Sequence, residues 1–269
     1  MPGMPSRRAV LTLLAAVVVA APAAAVRAAE ALDDPFGSLQ WPDLKREFFG
    51  TAKVVFDERV QVRGPAFAED PMNVPISVSA LGLSDVETIV VFVDRNPIRK
   101  VLEYQPLATL ASLGLRFKLE QASPVRAAAR TKDGVWHVGG TQVDSSGGGC
   151  TVSGATRKDG SWTQTLGQAR GKLFASSPVG GENASRLRVM VMHPMDTGLV
   201  GGIPAFYVNR LAVRDEQGRE LLRLATFEPV SENPVFSFDF PGRVAGGLRL
   251  TGTDNNGNRI EGRIEGRIE

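Results

Sequence analysis

The sequence has few of the side chains from which catalytic and metal centres are usually built. Its 269 residues contain one cysteine, Cys150, and two histidines, His137 and His193. A single cysteine excludes an internal disulfide, and two separated histidines are too few for a zinc site of clustered His and Cys ligands. A P-loop, a Cys-x-x-Cys pair and the glycine pattern of dinucleotide-binding folds are also missing from the sequence. We therefore expect a protein that is not an enzyme and that holds no cofactor and no metal.

An excess of charge of one sign is missing as well. The chain has 31 Lys and Arg against 29 Asp and Glu. The first 28 residues contain Arg7, Arg8 and Arg27 and no acidic residue, so the remainder has a net charge of −1. Without a Lys/Arg-rich run there is no electrostatic footprint for nucleic acid. The expected partners are proteins or small anions, and not nucleic acid.

The sequence contains one long apolar run, at residues 9–21, and it is too short to span a bilayer. It follows a basic start and precedes Val26-Arg27-Ala28, an acceptable cleavage site, so residues 1–28 are predicted to be a signal peptide. Ser6 to Leu11 fits the twin-arginine export pattern, which we favour over an ordinary Sec signal. Either route predicts a periplasmic protein without a membrane span.

The rest of the chain has the pattern of short β-strands. A single short helix is predicted at residues 42–49, ended by Gly50. Asp133-Gly134 and Asn256-Gly257 predict hairpins, as does the loop 214–220. We predict all-β domains at residues 29–144 and 185–269, joined by a glycine-rich arm and linker at 145–184. The predicted strands are at 54–62, 74–81, 86–93, 100–104, 114–119, 124–130, 136–143, 185–192, 205–213, 219–227, 235–240 and 247–250.

The last ten residues repeat the tetrapeptide Ile-Glu-Gly-Arg. This tetrapeptide is the recognition sequence of a protease used for tag removal, so part of it fits an expression remnant. Arg259, Glu261 and Arg263 alternate with Ile260 and Gly262, which fits a native strand equally well. The sequence leaves both interpretations open.

Cys150 follows Gly147, Gly148 and Gly149 in a segment without apolar periodicity. Glycine backbone is costly to hold fixed, so the pattern predicts an exposed thiol on a mobile strip that forms intermolecular disulfide dimers in air. Such a thiol can accept a group covalently and offer it elsewhere. A Cys/His catalytic dyad needs a cysteine held still against its base, which the glycines oppose. An inert, buried cysteine is the plain alternative.

A second candidate site lies at 187–195. Met190, Met192, His193 and Met195 are soft or borderline ligands of the kind that bind copper in exported proteins. In the structural alternative, which we favour, Met190 and Met192 fill one face of a strand. A periplasmic copper chaperone, or an accessory protein of a quinoprotein dehydrogenase, therefore stays as the second functional hypothesis. A structural adaptor with an incidental cysteine is the third.

Several longer motifs occur in a consistent order along the chain. They are PAFAEDPMNVPISVSA, VFVDRNP, VMVMHPMDTG and FEPVSENPVFSFDF. With these motifs, nearly the whole mature length resembles a fusion of the SoxY and SoxZ subunits of the SoxYZ sulfur carrier. The resemblance is to the SoxYZ-like carriers associated with quinoprotein dehydrogenases in particular.

The resemblance implies two immunoglobulin-like antiparallel sandwiches and a mobile arm whose cysteine carries thiosulfate or persulfide adducts. Cys150 would be the attachment residue, with Gly147, Gly148 and Gly149 as the pivot. Periplasmic sulfur-oxidising enzymes, or a quinoprotein dehydrogenase system, would be the partners, and small sulfur anions the cargo. Two features depart from the family pattern: Thr151 replaces a glycine, and the arm continues into the second domain, so its reach is in doubt.

Overall fold

The computed structural model describes residues 33–160, 162–176 and 184–267. Within these residues the chain forms a ten-stranded and a six-stranded β-sheet. The all-β fold class of two antiparallel sandwiches, predicted from the sequence, is confirmed. The predicted signal peptide at 1–28 lies outside the described residues, and in the described part no helix is long and apolar enough to cross a bilayer.

The described elements comprise sixteen strands and three short helices, numbered in chain order. The helices are α1 (Trp41–Phe49), α2 (Ala155–Asp159) and α3 (Trp162–Thr165). The strands of the first half are β1 (Val54–Phe56), β2 (Gln61–Arg63), β3 (Phe67–Ala68), β4 (Val74–Ser79), β5 (Val86–Val93), β6 (Lys100–Gln105), β7 (Ser112–Phe117), β8 (Ser123–Thr131) and β9 (Trp136–Ser145). Those of the second half are β10 (Ala169–Ser176), β11 (Ala184–Val191), β12 (Val208–Arg214), β13 (Glu220–Thr226), β14 (Val235–Phe240), β15 (Leu248–Asp254) and β16 (Arg259–Ile264).

Both sheets run through both halves of the chain. The ten-stranded sheet has the order β1-β9-β8-β5-β6-β13-β12-β15-β16, with β3 also paired to β9. The six-stranded sheet has the order β10-β11-β14-β7-β4-β2. The halves therefore meet at the antiparallel pairs β6–β13 and β7–β14. One core cluster between the sheets contains side chains of both halves.

Local sequence signals account for several of the observed turns. Gly50 ends α1 with a φ of 57° and donates its N–H to the Arg46 carbonyl, as predicted. The three predicted hairpins are confirmed at Gly134, Gly218 and Gly257, each of which has a positive φ and closes its turn through its N–H. The residues between Ile260 and Ile264 form part of β16, which pairs with β15 along its length.

Strands β3 and β10 were not predicted, and β16 was one of two open interpretations of residues 260–269. β10 lies within residues 145–184, which we assigned to the arm and linker, and pairs with β11 over its whole length. Its signal in the sequence is weak, because exposed and partly buried residues alternate around a single fully buried one, Leu173. β10 therefore forms through its backbone pairing with β11, which the local sequence pattern does not show.

Candidate functional site

Cys150 lies at the junction of the two halves, and the structure buries it completely, with 0% of its surface exposed. The prediction of an exposed thiol on a mobile strip is wrong for this conformation, while the formation of intermolecular disulfide dimers stays a prediction. The local sequence offers no apolar wall, but distant parts of the chain do. We call the enclosure the thiol slot: Lys118, Glu120 and Thr197 contact Cys150, and Asp196 and Glu232 lie close to Lys118.

The three glycines before Cys150 shape the chain instead of freeing it. Gly147 and Gly148 have φ values of 96° and 85°, which favour glycine. Gly149 is needed for space, because a Cβ there would lie 2.3 Å from the Pro71 carbonyl oxygen and 2.6 Å from that of Leu119. In this conformation the glycines allow the backbone to pass close to Pro71 and Leu119. They do not act as the expected pivot of a mobile arm.

The Glu120 carboxylate holds the backbone at the thiol. Its Oε2 accepts the Cys150 N–H at 2.8 Å, and its Oε1 accepts the Thr151 hydroxyl at 3.0 Å. The Glu120 carbonyl also accepts the Gly148 N–H at 3.2 Å. One residue at the end of β7 therefore holds both sides of Cys150, through bonds to a side chain that is itself partly exposed.

The second half of the chain closes the slot. The Thr197 hydroxyl donates to the Cys150 carbonyl at 2.6 Å. The Cys150 Sγ lies 3.7 Å from the Lys118 carbonyl, and the Lys118 Nζ donates to the Met195 carbonyl. Met195 has a φ of 50°, a conformation that non-glycine residues rarely adopt. A loop of the second half, in an unusual conformation, thus covers a thiol of the first half.

The slot favours a neutral thiol. Burial is the largest cause that raises the pKa of Cys150 from 9.0 to about 12, and the negative charge of Glu120 adds to it, while Lys118 opposes the shift. Burial also lowers the pKa of Lys118, against the charges of Cys150, Asp196 and Glu232. Because the thiolate is the nucleophile, the thiol is unreactive while it stays in the slot.

Neither histidine contacts the thiol. His137 Nδ1 lies 2.7 Å from an Asp57 carboxylate oxygen on the first half. His193 is fully buried, and burial lowers its pKa to about 4 despite Asp254. The Cys150 hydrogen bonds involve neither ring, so the structure does not bring a Cys/His dyad together.

The four candidate copper ligands do not form an open site. His193 Nδ1 accepts the Met195 N–H at 3.0 Å, so Nε2 carries the proton and faces Asp254 at 3.4 Å. The Met195 sulfur accepts the Val208 N–H at 3.3 Å, while Met190 is 36% exposed. In the described part of the chain, no three His, Cys, Asp or Glu side chains are grouped to hold a metal ion. His193 instead shapes the loop that carries Met195 and Thr197.

Sequence reasoning missed Lys118, Glu120 and Thr197. Lys118 and Glu120 directly follow β7, where charged residues are ordinarily taken as solvated. The position of Lys118 between Phe117 and Leu119 was a usable signal. Both neighbours are large, apolar and buried, which indicates that the chain enters the core at this point. Thr197 had no local signal, since its role depends on the contact between the halves.

Two family descriptions fit successive parts of the chain. Residues 45–150 match the family "Sulfur oxidation protein SoxY", and the match ends on Cys150 itself. Residues 178–265 match "Sulphur oxidation protein SoxZ". No curated protein sequence matches the chain. Among solved structures, the sulfur carrier protein SoxY from Chlorobium limicola f thiosulfatophilum is similar, at 16% identity and a TM-score of 0.35, over 40% of this chain and 96% of that one.

Proposed function

The chain carries a SoxY domain and a SoxZ domain in one polypeptide, and from this premise we propose that it is a carrier of sulfur intermediates bound covalently to Cys150. The observation that supports this most is the position of the chain's single cysteine. It is the last residue of the SoxY match, and residues of both matches enclose it, Lys118 and Glu120 from the first and Thr197 from the second. A structural cysteine in a core would not need its backbone held by a carboxylate and a hydroxyl from two domains.

The carrier acts in the periplasm with enzymes that load and process its cargo. The export pattern of residues 1–28 supports this location, and the sulfur-oxidation families support partners of that class. The chain itself binds and presents, while the partners catalyse. A quinoprotein dehydrogenase system is the partner that the sequence resemblance adds.

Loading requires the residues around Cys150 to leave the slot. The released thiol ionises with its ordinary pKa, and the thiolate attacks a sulfur atom of a polysulfide anion. A Cys–S–S bond forms, and a polysulfide shortened by the transferred atoms leaves with the electron pair.

Intact-mass measurement tests the attachment. After incubation with polysulfide and removal of excess reagent, the wild-type protein should gain mass in whole sulfur atoms, and Cys150→Ser should gain none. Dithiothreitol should remove the added mass, because exchange with a thiol restores the cysteine. If neither the wild type nor Gly149→Ala, a variant expected to expose the thiol, gains mass, Cys150 is not the attachment site.

Gly149→Ala should open the slot. Its Cβ would overlap the backbone oxygens of Pro71 and Leu119, which cannot move as a flexible side chain can. We expect iodoacetamide to alkylate Cys150 at least about tenfold faster in this variant than in the wild type, because reaction needs local opening. Gly201→Ala is the matched control, since nothing lies within 4 Å of its added Cβ. Equal rates in all three proteins would show that the slot is not closed in solution.

The pH dependence of alkylation gives a second test of the slot. In the slot the thiol has a pKa of about 12, against 9.0 when released, so the closed state is fully stabilised below pH 9 and loses that stability as pH rises towards 12. Alkylation of Gly149→Ala should level off near pH 9, where the open thiol is ionised. The wild-type rate should continue to rise above that pH. Levelling of both rates at one pH would contradict a buried, neutral thiol.

A further inference from the structure

The outer face of the ten-stranded sheet in the second half is rich in arginine. Antiparallel register partners lie on the same face, and three such rows connect β13, β12, β15 and β16. The strand residues of this face include six arginines and three glutamates. The arginines are Arg210, Arg214, Arg223, Arg249, Arg259 and Arg263, and the glutamates are Glu103, Glu220 and Glu261. We call this surface the arginine face.

Three of the arginines stand side by side on neighbouring strands. Arg214 is directly opposite Arg249, and Arg249 is directly opposite Arg263. Neighbouring strands lie about 4.8 Å apart, so the row spans about 10 Å. Like charges directly opposite each other destabilise a sheet. The fold gains nothing from this row, which indicates that something outside the fold uses it.

Most of these arginines are free to bind. Among the described residues, Arg210, Arg249, Arg259 and Arg263 form no side-chain hydrogen bond and no ion pair, and all four are exposed. Arg214 and Arg223 share Glu220. Acidic residues border the row at the turns, but Asp215 already binds Arg219, and Glu216 accepts the Gly247 N–H. Six arginines against three glutamates leave the strand residues of the face with a net charge of +3.

The face is a wide, shallow surface. Its floor consists of short side chains, Ala212, Ala225 and Thr251, between the arginines. Two open grooves, of 650 and 630 Å³, follow it. Four strands carry the charges over about 14 Å, which is too wide for one small anion and fits several carboxylates on a protein surface. Arginine is also the cation best suited to bind carboxylates in pairs of hydrogen bonds.

The face begins near the thiol slot. Phe206 pairs through its backbone with Asp196 of the slot, and β12 starts two residues later. At about 3.3 Å per residue, Arg210 lies about 13 Å along the strand from Phe206, and Arg214 about 26 Å. A partner that covers the whole face therefore reaches, at its Arg210 end, to about 13 Å from Phe206, which pairs with the residue next to Thr197 of the slot.

The geometry points to the arginine face as the docking surface for an acidic protein that exchanges cargo with Cys150. The partner's role rests on the proposed function, whereas the docking itself does not. Charge complementarity selects the partner, and the charges accelerate its association without contacting the cargo.

Photo-cross-linking in the native bacterium tests this surface. A benzoylphenylalanine at Ala212 places the probe on the arginine face, and one at Ser237 places it on the six-stranded sheet. The expected result is a cross-link from position 212 to an acidic segment of another periplasmic protein, resolved at the level of peptides. Arg210→Glu/Arg249→Glu/Arg263→Glu should lower its yield about tenfold or more.

A matched variant keeps the change in net charge the same. Arg116, Arg170 and Arg188 are exposed strand residues of the six-stranded sheet that do not face one another. Changing all three to glutamate should leave the cross-link intact. Cys150→Ser should leave it intact as well. If the proposed carrier function fails, sulfur adducts are therefore missing while the cross-link is retained. The proposal is overturned by an absent cross-link, by one to a second copy of this chain or to a non-acidic segment, or by equal loss in the two triple variants.

Discussion

The two halves of the ten-stranded sheet present outer faces of opposite character. On the first half, α1 covers the sheet, and Trp41, Leu44 and Phe49 pack on Val90 and Phe92. On the second half no described element covers the sheet, and arginines occupy the same kind of position. In the first half the chain therefore covers the outer face of the sheet with its own helix, and in the second half the described residues leave that face uncovered.

Arg126 makes the contrast specific. It lies on the covered face, fully buried, with Asp34 and Asp94 each bound bidentately at 2.7–2.8 Å. Phe36 and Trp41 stack on its guanidinium at 4.8 and 4.7 Å. The chain thus pairs this outer-face arginine with a carboxylate from a separate segment, that of Asp34. We expect the partner of the arginine face to use the same chemistry.

The largest expected effect is the loss of Arg126. Arg126→Ala leaves two carboxylates buried without their cation, and should lower the free energy of unfolding by about 3–5 kcal/mol. Arg249→Ala, on the open half, should change it by less than about 0.5 kcal/mol. Urea unfolding of both variants measures the difference. Similar losses in the two variants would remove the distinction between the covered and the open face.

The helix cover provides the next effect in size. Leu44 lies on the buried side of α1 and is fully buried, so Leu44→Ala should cost about 2–4 kcal/mol through lost burial and the cavity left behind. Leu39, just before the helix, is 83% exposed, and Leu39→Ala should have almost no effect. If thermal unfolding shifts equally in both variants, α1 does not cover the sheet in solution.

The smallest expected effect concerns the arginine row itself. Arg249→Thr removes the middle charge of three and should stabilise the protein by up to about 0.5 kcal/mol at low salt. The gain should vanish at high salt, where repulsion between exposed charges is screened. Calorimetry at two ionic strengths measures this. A destabilised variant at low salt would mean that the row is satisfied within the fold.

Local signals in the sequence predicted the covered half better than the thiol site. Helix α1 followed from the spacing of Leu44 and Phe48 and from Gly50, and the hairpins followed from their turn glycines, because those causes lie within a few residues. The environment of Cys150 did not follow, because Thr197 reaches it from 47 residues away. The glycines before Cys150 were correctly singled out. Gly149 is needed because a Cβ there would overlap neighbouring backbone, and not because it makes the segment mobile.

The arginine face shows the same limit. Alternation of Arg259, Glu261 and Arg263 in a strand was visible in the sequence, and β16 has it. That Arg263 stands beside Arg249, and Arg249 beside Arg214, depends on the register of three strands joined by loops of different lengths. Register is a property of the assembled sheet, and a single sequence does not give it.

The pairing of β6 with β13 lies within one chain, so it does not depend on the protein concentration. Two separate subunits with this interface would dissociate as their concentration falls, whereas here the linking chain holds the two strands at a high effective concentration. The stoichiometry of one cysteine to one arginine face is fixed at synthesis. At low protein concentration the thiol thus stays enclosed without the reassociation of two subunits.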